Sequence, residues 1–86
     1  MKVSVEISMY PLNTDYKGPI IEFVESLRTR EGITIETNGM STQVFGEYDT
    51  VVRILHDEAR AIFHGPDKVA MVMKWVNDDL EGPVKF

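Results

Sequence analysis

Ile33-Thr34-Ile35-Glu36-Thr37-Asn38-Gly39-Met40-Ser41-Thr42-Gln43-Val44-Phe45 is the stretch on which the fold turns. Ile33 and Ile35 alternate with Thr34 and Glu36, and a period of two reads as a strand with one buried face. Asn38-Gly39 then gives the strongest short signal for a hairpin, because both residues tolerate positive φ. Ser41 to Phe45 returns as a second strand of the pair, ended by Gly46. Here the alternation breaks. Val44 and Phe45 are adjacent and both apolar, so both faces of this strand are expected to be covered.

On either side of the hairpin the period changes from two to about three and a half. Upstream, Gly18-Pro19 suits a first helical turn, where the missing N–H of proline costs nothing. Ile20, Phe23, Val24 and Leu27 follow at helical spacing, with Glu22, Glu25, Arg28 and Arg30 on the other side. Acidic residues lead and basic residues trail, as the helix dipole favours, and Gly32 supplies the stop. Downstream, Glu47 and Asp49 favour a helix start. Val52, Leu55, Ala59 and Ile62 form the expected apolar stripe, flanked by Val51 and Phe63, and His64-Gly65-Pro66 ends the helix.

The outer segments return to strands. Val3, Val5, Ile7 and Met9 alternate with Ser4, Glu6, Ser8 and Tyr10 until Pro11, which has no N–H for a ladder. Lys68 to Val76 is the last strand. Asn77 to Pro83 reads as a polar loop, and Val84-Lys85-Phe86 as a tail with the option of a short edge strand. The whole chain, 1–86, is expected to form one domain. The order β-α-β-β-α-β with right-handed crossovers predicts an α+β, ferredoxin-like sandwich: a four-stranded antiparallel sheet with two helices on one face. The other face, with Ser4, Glu6, Ser8, Tyr10, Thr34, Glu36 and Asn38, is mixed in polarity and is expected to meet water, a second subunit or a polar ligand.

The totals narrow the function. A chain of 86 residues with a hydrophobic fraction of 43% has only a thin core of its own, and self-association would add buried area. A net charge of −5 repels phosphate backbones, so nucleic acid is not an expected partner. Without cysteine there is no disulfide, thiolate or zinc–sulfur chemistry. The early Lys2 does not suit a signal-peptide core, and no apolar run is long enough to span a bilayer, so a cytoplasmic protein without membrane attachment is expected.

Catalytic patterns are sparse. His56 and His64 are eight residues apart, which misses the helical spacing of metal pairs, and His56-Asp57-Glu58 reads as a solvated polar face. Gly39, Gly46 and Gly65 fit no phosphate-cradling motif. The loop from Pro11 to Lys17 lacks the arginine that an acylphosphatase-like site needs, and the open face lacks the paired aromatics of an RNA-recognition sheet. A binding protein rather than an enzyme is expected, with no metal or cofactor. Asn38, Ser41 and Thr42 supply clustered donors and acceptors, set against the plainer reading that they only build the turn. Glu6 and Glu36 could hold an amine or cation, set against a simple salt bridge to Lys74. Trp75 alternates with Val69, Met71 and Met73, as packing residues do.

Two segments carry a family resemblance. Val5-Glu6-Ile7-Ser8-Met9-Tyr10-Pro11-Leu12 and Gly39-Met40-Ser41-Thr42-Gln43-Val44-Phe45-Gly46-Glu47 resemble the small YkoF-like, thiamine/hydroxymethylpyrimidine-binding proteins. The second matches the family hairpin G-x-[SGN]-T-x-[VI]-x-G-[DE], with Phe45 where relatives often carry an acidic residue. The resemblance implies a ferredoxin-like fold and dimers or tetramers formed through the sheets. It also implies a pocket for thiamine or its pyrimidine moiety at the sheet face near the subunit boundary. On this basis Ser41 and Thr42, more weakly Asn38, and on charge grounds Glu6 and Glu36, are the expected ligand-binding residues. The rival expectation is a structural or regulatory oligomer without a small ligand.

Overall fold

Strand β1, Lys2–Pro11, runs through the middle of the sheet because its two neighbours pair with it on opposite edges. In the computed structural model, which describes residues 1–13 and 15–84, β1 is followed by α1 (Lys17–Arg28), β2 (Ile33–Thr37), β3 (Thr42–Glu47), α2 (Tyr48–Phe63) and β4 (Val69–Val76). The strands form one four-stranded sheet in the order β2-β3-β1-β4, and every pairing is antiparallel. This is the ferredoxin-like α+β arrangement expected of the sequence.

Register fixes the faces. Directly opposite residues share a face, so Val5 with its partners Val44 and Trp75, and Ile7 with Thr42 and Met73, point to one side. There Val5, Ile7 and Val44 meet Phe23, Val24 and Leu27 of α1 and Val51, Ile54 and Leu55 of α2 in a single core cluster, with Met73 packed against it. Leu27, Val44 and Val51 are wholly buried. Removing one such side chain from water stabilises the fold by about 1.5–3 kcal/mol. Val44 and Phe45 are both buried, so β3 is indeed clad on its two faces.

Several local expectations are corrected. The apolar stripe of α2 is rotated by one position: Val51, Ile54, Leu55 and Glu58 are buried, whereas Val52 and Phe63 are exposed. Glu58 is therefore not part of a solvated face. Its Oε2 accepts from Ser26 Oγ at 3.0 Å and from the Arg30 guanidinium at 2.9 Å, joining α2 to α1 and to the residues just beyond it. Helix α1 begins at Lys17, two residues before Pro19, where Asp15 Oδ1 accepts from the Gly18 N–H at 3.1 Å. No acidic residue lies in its first turn, and it ends at Arg28 rather than at Gly32. Gly32, at φ +90°, instead turns the chain into β2. β3 runs through Gly46 to Glu47. A side chain at Gly46 would put a Cβ 3.0 Å from the Gly32 carbonyl oxygen.

The polar loop that follows β4 is fastened to the sheet at Asp78 and Leu80. Ser4, on the helix-free face and nearly buried, donates its hydroxyl to the Asp78 carbonyl at 2.7 Å and accepts from the Leu80 N–H at 2.8 Å. This folds the segment back over the Ser4 and Phe45 end of the sheet. Val84 is in no strand, and the rest of the edge strand considered for 84–86 lies outside the described residues. Ser4→Ala should release this segment and cost about 1–2 kcal/mol. Faster amide exchange at Leu80 with a lowered denaturation midpoint would show it; unchanged exchange would deny the clasp.

Candidate functional site

Two concave regions are built from the residues singled out by the sequence, one on each side of the sheet. The first lies between the β2–β3 turn and α1. Its apolar walls are Ile7, Met9, Ile20 and Phe23, its polar rim comes from Thr37 to Thr42, and it encloses ≈ 80 Å³. The turn is held by Asn38, whose Oδ1 accepts from the N–H groups of Met40 at 2.8 Å and Ser41 at 3.2 Å. Its own N–H donates to the Ser41 carbonyl at 3.1 Å. The plainer reading of Asn38 as a turn builder is thus realised, through its side chain rather than through positive φ, which neither Asn38 nor Gly39 adopts, and the same residue forms part of the rim.

Thr42 and Thr37 are register partners on the helix side of the sheet. Their hydroxyl oxygens lie 2.8 Å apart, and Thr42 is 6% exposed. Each hydroxyl has one proton and two lone pairs. Only one of the two protons lies between the oxygens. The pair therefore keeps one donor and several acceptor positions for a third group, opposite the apolar wall of Ile7, Met9, Ile20 and Phe23. Thr37 was not among the expected binding residues; its place opposite Thr42 across the hairpin is the signal that reveals it.

The second region is on the helix-free face. It is a groove of ≈ 400 Å³ with Phe45 and Val76 among its apolar residues, Glu6, Gln43 and Lys74 at its polar end, and Leu80, Gly82 and Val84 of the folded-back segment. Glu6 Oε1 is 3.3 Å from Lys74 Nζ, and Glu6 Oε2 accepts from Ser41 Oγ at 3.0 Å. Ser41 thus lines the cleft on one side of the sheet while its hydroxyl is committed to a carboxylate on the other. Glu36, opposite Gln43 on the edge strand, is exposed and shares this face. The five residues are therefore divided: Asn38, Ser41 and Thr42 at the helix-side cleft, Glu6 and Glu36 on the open face.

The Ser41 hydrogen bond, followed by the hydrogen bond and positive charge of Lys74, holds the Glu6 carboxyl below its ordinary value of 4.5. A depressed carboxylate contributes stability that is present above the ordinary value and is lost as pH falls through the folded one. Ser41→Ala should shift the Glu6 titration upward, read from its side-chain carboxyl carbon by NMR. An unmoved midpoint would remove Ser41 as the main cause.

Among the described residues, no group of three or more His, Asp or Glu is placed to hold a metal, and no helix is long and apolar enough to cross a membrane. Trp75 lies 40% exposed at the edge strand, edge-on to Tyr48 with ring centroids 6.2 Å apart.

The chain is thus a ferredoxin-like domain with a small cleft beside its β2–β3 turn. Residues 5–81 match the family described as thiamine-binding protein, and the chain belongs to that family. No curated protein sequence matches it. Among solved structures it is similar to protein SP2199 of Streptococcus pneumoniae, with 26% identity over 93% of this chain and 90% of that one and a TM-score of 0.82. Hypothetical protein MJ1052 of Methanocaldococcus jannaschii shares the fold at 20% identity, over 94% and 84% of the two chains, with a TM-score of 0.75. So does TM0486 of Thermotoga maritima, described as a candidate thiamine biosynthesis/salvage protein, at 22% identity over 85% and 82%, with a TM-score of 0.68.

Proposed function

We propose that this chain binds thiamine through its pyrimidine moiety, or the free hydroxymethylpyrimidine, in the cleft between the β2–β3 turn and α1, and that it does so without catalysis. The observation that carries the reading is the Thr37–Thr42 hydroxyl pair set facing the apolar wall of the cleft. An aminopyrimidine presents an amino donor beside a ring-nitrogen acceptor. The hydroxyl pair supplies the complementary acceptor and donor, while Phe23, Ile20 and Met9 line the wall against which one face of the ring would rest. Family membership and the description of the Thermotoga protein point the same way.

Size refines the choice. Sites for whole drug-sized ligands run to about 300–1,000 Å³, and a cleft of ≈ 80 Å³ receives a single ring. The thiazolium of thiamine would project outward. Glu6 and Glu36 lie on the opposite face, so neither serves as counter-ion to a ring seated here. Calorimetry should show that hydroxymethylpyrimidine and thiamine bind with similar affinity. Heat from neither at millimolar concentration would favour a structural or regulatory oligomer with no small ligand.

Self-association as a dimer or tetramer through the open face belongs to the same proposal. Tyr10 and Val72 of that face and Leu80 of the segment above it are each more than half exposed, which supports a partner there. A sedimentation mass near 9.8 kDa at micromolar concentration would refute it.

A further inference from the structure

The rim of the hairpin cleft contains one side chain that the fold itself does not use. Met40 is 90% exposed, the highest value among the exposed large apolar residues described, yet it lines the cleft together with Ile20 and Met9. Met9, Met71 and Met73 pack against the core; Met40 does not. Its backbone is fixed, because its N–H donates to Asn38 Oδ1 at 2.8 Å. Its neighbour Gly39 faces open space. A pinned main chain thus carries an unbranched, three-rotor side chain that can swing without disturbing the turn.

We propose that Met40 is the cover of this cleft, laying its thioether over the outer face of a bound pyrimidine ring, and that oxidation of that thioether by a hydroperoxide weakens binding. The inference rests on the cleft reading above. A cleft this shallow leaves one ring face in water, and a methionine at the rim is the apolar group in reach of it. Sulfur against an aromatic ring is favourable, and conversion to a sulfoxide makes the same side chain polar. In that step the sulfur takes one oxygen atom from the hydroperoxide and gives up two electrons. The O–O bond breaks, and water leaves when the oxidant is hydrogen peroxide.

The test is calorimetry with hydroxymethylpyrimidine on the intact chain, on Met40→Ala and on Met40→Leu, before and after hydrogen peroxide, with the sulfoxide located by mass spectrometry. Met40→Ala should bind about three- to tenfold more weakly at an unchanged melting temperature. Peroxide should weaken the unmodified chain by a similar factor and leave Met40→Leu unaffected. Equal affinity for Met40→Ala overturns the cover, and an equal peroxide loss in Met40→Leu overturns Met40 as the oxidation site. No heat from the unmodified chain removes the cleft reading itself, a failure distinct from these two.

Discussion

Thr42→Val is expected to weaken hydroxymethylpyrimidine binding by about 1–3 kcal/mol, roughly 5- to 150-fold, while the domain stays folded. Valine keeps the shape of threonine and removes the hydroxyl. In the free protein this costs little, because Thr37 is exposed and its hydroxyl can turn to water. In the complex it leaves a ring nitrogen or amino group facing a methyl in a nearly buried position. Thr37→Val should act in the same direction. The double variant should lose less than the sum, since the two oxygens 2.8 Å apart act as one unit. Calorimetry alongside thermal melting checks both statements. Full affinity in Thr42→Val would remove the hydroxyl pair from the site.

Arg30→Ala carries the largest expected loss of stability. The Glu58 side chain is 6% exposed and its partner Arg30 29%, so truncation of the arginine leaves a carboxylate inside the helix–helix contact with Ser26 as its remaining donor. Breaking a buried pair from one side costs about 3–5 kcal/mol, and the partial exposure of Arg30 lowers this to about 2–4. For a domain of this size that is a fall in melting temperature of roughly 10–30 °C. Pairing the change with Glu58→Leu should recover much of the loss, because no charge is then stranded. A single variant within 0.5 kcal/mol of the parent, a shift no larger than that of an ordinary surface substitution, would show that the pair is structurally idle.

The fold was legible because most elements declared their period. The alternation in β1, the Asn38-Gly39 turn and the Gly65-Pro66 stop were enough to order six elements. What escaped was decided between segments distant in sequence. Glu58 looks solvated beside His56 and Asp57, and only the approach of Arg30 makes its burial affordable. Its position three and four residues after Leu55 and Ile54 was the available hint. The segment after Val76 is polar in composition, and nothing local announces that Ser4 will clasp it. The candidate site was legible in part. Ser41 and Thr42 are consecutive, and strand geometry sends consecutive side chains to opposite faces. The Thr42 hydroxyl therefore looks toward the helices while that of Ser41 reaches Glu6. Thr37 became visible only as the cross-strand partner of Thr42.

The central position of β1 bears on how the chain is made. Its outer neighbour is β4, with Ser4 set against Val76, so during synthesis β1 waits for a strand that begins only at Val69 before its second edge is closed. Until then Val3, Val5 and Ile7 can pack on the hairpin and the two helices while one edge of β1 stays open, and a nascent chain halted short of residue 76 would present that edge to chaperones.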